Sequence, residues 1–324
     1  MNTQRVVVFG AHGFIGSAVV TALRDRNVDV VTMTTPRLPG SDADLAAAAV
    51  RANDELVGRL AEGIRGADAV VNASGNPDAS ESDERCLTAA NAVVPGVIAA
   101  AVSTAGVPRF VHVSSAVVQG DAAILDESVV TSPFSPYSRS KATGERLALE
   151  YAANSCVVYR PASVHAASRR VTQLTAAIAR SPLATVAGSD DRPTPQALVG
   201  NVADAIAYLA TVNRQPPRVV IHPWEGLTTA HLLELLGRKQ PRHIATFMAR
   251  TVVALLRVLG RFRVRMAANA RRVEMLWFGQ AQAPSWLITQ GWTPPEGTDA
   301  WRALGVALAT REDQHRDRAR ARRG

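Results

Sequence analysis

Apolar residues fall along this chain in two rhythms. Short unbroken or nearly unbroken runs occur at Val6 to Phe9, Val28 to Met33, Asp68 to Asn72, Phe110 to Ser114 and Cys156 to Arg160. Such runs suit strands buried on both faces of a parallel sheet. Between them lie longer stretches with helical spacing: Phe14 to Leu23, Ser41 to Arg65, Ser82 to Thr104 and Tyr137 to Ala152, with a kink expected at Pro95. Strands that alternate with helices predict an α/β fold, a doubly wound parallel sheet. After about Pro161 the rhythm loosens into short apolar stretches and a loop at Arg192-Pro193-Thr194-Pro195, with helices expected over Ala203 to Thr211 and Thr228 to Leu236. This predicts a first domain over 1–165, with 200–222 returning to it. A smaller, partly interwoven C-terminal lobe covers 166–310, and 311–324 is a disordered basic tail.

Composition narrows the class only a little. The chain has 324 residues, 47% apolar and 20% charged, which is ordinary for a globular protein. Cys86 and Cys156 stand alone, so neither a disulfide framework nor a metal-ligand cluster is expected, and a reducing cytoplasm is the natural setting. No charged start followed by an apolar run and a cleavage site is visible, so no signal peptide is expected. No uninterrupted apolar run reaches the roughly 18 residues of a membrane span.

Charge is less evenly placed. Of the net +8, the segment Gly237 to Arg272 holds ten Lys or Arg and no acid, which leaves the rest of the chain slightly acidic. That distribution does not suggest a nucleic-acid binder. Within the segment, 244–262 has helical spacing, with Arg250, Arg257 and Arg261 on one face and Phe247, Val252, Val253, Leu255, Leu256, Leu259 and Phe262 over much of the rest. Either it packs on the lobe with its arginines in solvent, or it makes peripheral contact with an anionic membrane surface, the inner face of the cell membrane.

Four features carry chemistry. Gly10, Gly13 and Gly16 follow the first apolar run and open the first helix. Glycines at such a turn let backbone N–H groups approach a pyrophosphate at a helix N-terminus. Phe14 and Ile15 lie in the same turn. The second run ends at Thr34, Thr35 and Arg37 with no acid before Asp42. An acid there would bind ribose hydroxyls, whereas two hydroxyls and a guanidinium suit a 2′-phosphate, so NADP is expected, with NAD as the alternative. Tyr137 and Lys141 are four residues apart on a predicted helix and share a face, which places an ammonium beside a phenol and lowers the phenol's pKa. Ser115 follows the fourth run, at the carboxyl edge of the sheet where ligands bind in open α/β folds.

Together these residues make the chain resemble the extended short-chain dehydrogenase/reductase family, that is, the NAD-dependent epimerases and dehydratases of sugar-nucleotide type. The matching stretches are Gly10 to Gly16, Asn72-Ala73-Ser74-Gly75, Val113 to Gly120, Asp126-Glu127 and Pro136 to Lys141. The likeness covers roughly 5–210, then continues weakly to Gly291-Trp292-Thr293-Pro294. It implies a Rossmann domain, a Ser115/Tyr137/Lys141 catalytic trio, cofactor contacts from Asn72, Ala73, Ser74, Tyr137, Lys141, Pro161 and Ser163, a nucleotide-sugar substrate and a homodimer. Gln119, His165-Ala166 and Asn201 replace the family's usual Tyr, Tyr-Gly and Asp, so they bear on the substrate. Gln119, His165 and Arg192 are candidate substrate contacts, Arg192 for a diphosphate. Ser115 is followed by Ala116 and Val117 rather than the acid pair of the family's 4,6-dehydratases. The reading is therefore a sugar-nucleotide 4-ketoreductase, with an NAD-dependent 4-epimerase as the alternative. A hydroxysteroid-type dehydrogenase and a non-catalytic nucleotide-binding sensor are further alternatives.

Overall fold

The computed structural model describes residues 3–78, 81, 83–120, 122–188, 192–260, 273–275 and 277–321. The chain starts with β1 (Arg5–Phe9), α1 (Phe14–Asp25) and β2 (Asp29–Met33). The stretch expected as one helix from Ser41 to Arg65 forms two, α2 (Ala46–Arg51) and α3 (Asp54–Ile64). The break falls at Ala52-Asn53, where the Asn53 side chain donates back to the Ala49 carbonyl at 2.7 Å and competes with the helix. Next come β3 (Ala69–Asn72), α4 (Glu84–Thr88), one π-helical turn at Ala89–Val93, and α5 (Val94–Ala105). The irregularity expected at Pro95 lies just upstream, in the π turn, because Pro95 sits at the start of α5 where its missing N–H costs little. Glu84–Ala105 is long and apolar enough to pass for a membrane span, yet most of it is buried as a core helix.

Then follow β4 (Phe110–Val113), a 3₁₀ turn at Ala116–Gln119, β5 (Ile124–Leu125), α6 (Pro136–Tyr151) and β6 (Cys156–Arg160). A second compact unit opens with β7 (Ser163–His165), α7 (Arg170–Arg180), β8 (Thr185–Ala187) and β9 (Gln196–Leu198). The first unit resumes with α8 (Val199–Thr211) and β10 (Val219–Ile221), and the second with α9 (Thr229–Gly237), β11 (Arg242–Ile244) and α10 (Thr246–Gly260).

Unit 1 comprises Met1–Ala162, Val199–Pro223 and Ala283–Thr293. Its six strands are all parallel, in the order β10-β6-β4-β3-β1-β2. The chain between β2 and β3 adds helices and no further strand to this sheet, so β2 is an edge. The winding reverses between β1 and β3, and the crevice beyond their carboxyl ends is where such a sheet takes a ligand. Val7, Phe9, Val70, Phe110 and Val158 bury one face of the sheet against α2, α3, α5 and α6. On the other face α1 packs on α8, and Val19, Leu23, Val202, Ile206 and Leu209 of these helices are buried.

Residues 283–293 belong to unit 1, not to the lobe in which 166–310 was placed. Ser285 Oγ donates to the Ile221 carbonyl at 2.6 Å, and the Trp292 indole donates to Asp204 at 2.7 Å. Glu127 accepts from the Ile221 and Trp286 N–H groups and from Ser285; burial pushes its pKa up and those bonds oppose the shift.

Unit 2 comprises Ser163–Leu198, Trp224–Gln282 and Pro294–Gly324. It holds two small parallel pairs, β7 with β9 and β8 with β11. Its core joins Ala176, Ala179, Leu232, Leu233, Leu236, Trp301 and Leu304. The last helix runs Thr298–Ala321, so 311–321, expected as a disordered tail, continues a helix. Ala, Arg, Glu and Gln are good helix formers and need no apolar face to extend one.

Candidate active site

The glycine turn is built as its spacing requires. Gly10 adopts φ +77°, a left-handed conformation that suits glycine, and a Cβ on it would lie 2.7 Å from the Ser74 nitrogen on the neighbouring strand's loop. A Cβ on Gly16 would lie 2.0 Å from the Gly10 carbonyl oxygen, so α1 crosses the turn at a distance only glycine permits. Gly13 caps α1 without a side chain, and none competes there for the helix N-terminus.

Gly10, Ala11, His12, Gly13, Thr32, Met33, Thr34 and Thr35 line one cavity of about 220 Å³. It contains no acidic side chain. The Thr35 hydroxyl is buried and has no hydrogen-bond partner among the described residues. A glycine cradle at a helix N-terminus beside two threonines fits a dinucleotide. Arg37 is exposed and does not line this cavity.

The loop after β3 is pinned by Asn72, whose buried side-chain oxygen accepts from the Ser74 N–H at 3.1 Å and its hydroxyl at 2.5 Å. Asn72 Nδ2 meets His112 Nδ1 at 3.3 Å, so the donor geometry assigns the His112 proton to Nε2. Burial, helped by the Lys141 charge, drives the His112 pKa down to about 3, and the ring stays neutral.

Helix α6 starts where local chemistry dictates. Ser135 caps it and forms a reciprocal capping box with Ser138, and Pro136 occupies the first turn. Tyr137 is half-buried in that turn, and Lys141 lies one turn on, 6% exposed. Lys141 Nζ reaches the Val113 carbonyl at 3.4 Å, at the end of the strand that leads to Ser115. Ser115 is half-buried and caps the 3₁₀ turn, its hydroxyl accepting from the Val117 N–H at 3.3 Å. The Ala116 N–H donates to the Pro161 carbonyl at 2.9 Å, which ties this turn to the end of β6. Desolvation lowers the Lys141 pKa to about 8, against the pull of Glu145.

Asn91, which the sequence pattern did not single out, joins these pieces. It sits in the π turn, accepts from the Asn76 N–H at 2.8 Å, and donates to the Asn76 carbonyl and to Ser140 Oγ, both at 3.1 Å. A Cβ on Gly75 would lie 2.6 Å from Asn91 Oδ1 and 3.2 Å from Lys141 Nζ. A π turn in an apolar helix is a signature of functional sites, but periodicity does not reveal it.

The candidate substrate residues fare differently. Gln119 is buried, donating to Asp126 Oδ1 at 2.7 Å and accepting from the Asp126 N–H at 3.0 Å, so its amide is occupied in holding a loop. Ser163 and His165 fall in unit 2. His165 Nε2 is 2.7 Å from Gln196 and 3.3 Å from Ser163 Oγ, and its ring packs against Trp301. Burial lowers the His165 pKa to about 4, and it is a neutral core histidine. Arg192 lines a cavity of about 410 Å³ in unit 2 with Arg250, Arg257, Glu274 and Phe278. Glu274 accepts from Arg257 at 2.7 Å, and Arg192 stacks on Phe278. Among the described residues no group of three or more His, Cys, Asp or Glu is placed to hold a metal ion.

The profile of the NAD dependent epimerase/dehydratase family matches residues 6–221. The chain belongs to that family. It is 32% identical over 142 residues to the Haloferax volcanii protein named "Probable low-salt glycan biosynthesis reductase Agl14", a match covering 43% of this chain and 46% of that relative. The match thus spans about half the length of the curated relative. Its fold is that of UDP-glucuronic acid 4-epimerase from Bacillus cereus with NAD (TM-score 0.62, 17% identity, 95% of this chain and 99% of the other). MoeE5 with UDP-glucose and NAD shares it too (TM-score 0.61, 20% identity, 95% and 99%). So does dTDP-4-dehydrorhamnose reductase from Bacillus anthracis with NADP (TM-score 0.59, 13% identity, 94% and 99%).

Proposed function

We propose that the chain is an NADPH-dependent 4-ketoreductase acting on a nucleotide sugar. The observation that carries this reading is the cavity at the end of β2, where Thr34 and Thr35 stand without an acid and the Thr35 hydroxyl is left for a ligand oxygen. When bound, the reduced nicotinamide supplies the hydride. Tyr137 donates a proton to the substrate carbonyl oxygen, and the Ser115 hydroxyl hydrogen-bonds the same oxygen. In this reading the Lys141 ammonium holds a ribose hydroxyl of the cofactor. Ala116 and Val117 bring no acid to the site, which argues against elimination of water. In unit 2, Arg192 and Arg250 are the proposed contacts for the substrate's diphosphate. The reductase name of the Haloferax relative agrees with this direction.

The test is turnover of a nucleotide 4-keto sugar with NADPH, read as loss of the reduced cofactor's absorbance and formation of the 4-hydroxy product. Interconversion of two 4-epimers without net cofactor use would replace the reading with an epimerase.

The Lys141 pKa of about 8 fixes a pH dependence. Below that value the side chain is a cation one helical turn from Tyr137, and above it the cation is lost. Reduction is therefore expected to slow as pH rises through about 8, and the step should vanish from the Lys141→Met profile. A wild-type profile flat across that range would contradict the assignment.

A further inference from the structure

We propose that α10 docks this enzyme on an anionic lipid bilayer. The helix seats itself through Ala249 and Val253, which are 0% and 5% exposed. Its other side is open: Phe247 is 72% exposed, Leu255 58%, Met248 52%, Val258 49% and Val252 41%. At the helical repeat these five side chains fall within an arc of roughly 140°, facing away from Ala249 and Val253. An apolar arc of this width on one helix is far more than scattered surface hydrophobics and marks an interaction face.

Charge selects the partner. Arg238, Lys239 and Arg242 are exposed just ahead of the helix, and the sequence from Gly237 to Arg272 holds ten Lys or Arg and no acid. A helix with an apolar face and a cationic surround lies in the headgroup layer of a bilayer, its apolar side chains in the acyl boundary and its cations on anionic lipid. A second copy of the chain would bring like charges together across the same face, which opposes self-association there. A nucleic-acid surface would leave five aliphatic and aromatic side chains without an apolar partner. The inference rests on α10 and holds whatever the reaction is. The five apolar residues lie outside the residues lining the Arg192 cavity, so docking and substrate contact can be separated by mutation.

The experiment is flotation of the full chain with vesicles of phosphatidylcholine alone and of phosphatidylcholine with phosphatidylglycerol, at low and high salt. The wild type is expected to float with the phosphatidylglycerol vesicles only, and less at high salt. M248E/L255E is expected to lose at least about tenfold in partitioning, with thermal unfolding and NADPH binding unchanged. Phe247→Ser gives an independent, smaller loss should the double variant fold poorly. Wild type that stays in solution with anionic vesicles at low salt overturns the proposal, as does a folded double variant that floats like wild type. A wild-type dimer that ignores vesicles and becomes monomeric in M248E/L255E also overturns it and makes the face a subunit interface.

Discussion

Replacing Tyr137 by phenylalanine is expected to leave a folded protein that binds its cofactor and reduces substrate about 10²–10⁴-fold more slowly, as loss of a positioned general acid does. The substitution removes one hydroxyl from a half-buried ring. The capping of α6 is made by Ser135, Pro136 and Ser138, and the backbone carbonyl of residue 137 still accepts from Ser140 Oγ at 2.8 Å. The glycine cradle and Thr35 lie on other elements, so cofactor affinity should change little. The loss should fall on kcat and on kcat/KM alike, because the proton is given up only in the transition state. Single-turnover kinetics with saturating NADPH checks this. A variant that keeps full biological activity without turnover would mean that the site senses nucleotide and does no chemistry.

Glu145→Ala is expected to be the most destabilising single change near the site. Glu145 and Arg160 form a buried pair with side chains 3% and 0% exposed, joined at 3.0 Å through Nε and 2.7 Å through Nη2. Arg160 Nη1 also donates to the Ser128 carbonyl at 2.8 Å. Removing the carboxylate leaves a guanidinium buried without its counter-charge, which costs about 3–5 kcal/mol. For a unit of this size that lowers the unfolding midpoint by roughly 10 °C. Because Glu145 lies one turn beyond Lys141 and holds its pKa up, the downturn in the pH profile should also move to lower pH. Thermal melts of Glu145→Ala against E145L/R160M separate the causes, since the double variant buries no unpaired charge and should regain most of the loss. Equal melting of wild type and Glu145→Ala would show that the pair does not anchor α6.

Much of unit 1 was legible because its parallel strands announce themselves as short apolar runs and its cofactor turn needs glycines wherever the backbone closes up. Gly10 and Gly16 cannot carry a Cβ, and Tyr137 and Lys141 share a face by helical geometry alone. Other features depend on contacts that spacing does not encode. The helix expected over Ser41 to Arg65 breaks in two at Asn53, whose side chain bonds back to the Ala49 carbonyl. Asn91 reads as one polar residue in an apolar helix until the loop at Asn76 and the side chain of Ser140 are placed against it. Gln119 and His165 depart from the family pattern, but each is bonded within its own unit, Gln119 to Asp126 and His165 to Gln196. The return of 283–293 to unit 1 rests on hydrogen bonds from Ser285, Trp286 and Trp292 to partners distant in sequence. Residues 261–272, which hold Arg261 and Phe262 of the basic segment, lie outside the described residues.

Fluorescence titration of the purified chain with NADPH and NADH tests most directly whether the proposed dinucleotide site prefers the 2′-phosphate. Reversible binding with a clear preference for NADPH, weakened by Thr35→Val, is the predicted result. Retained NAD that neither exchanges nor yields to NADPH would contradict it, and would make the same trio the centre of an epimerase.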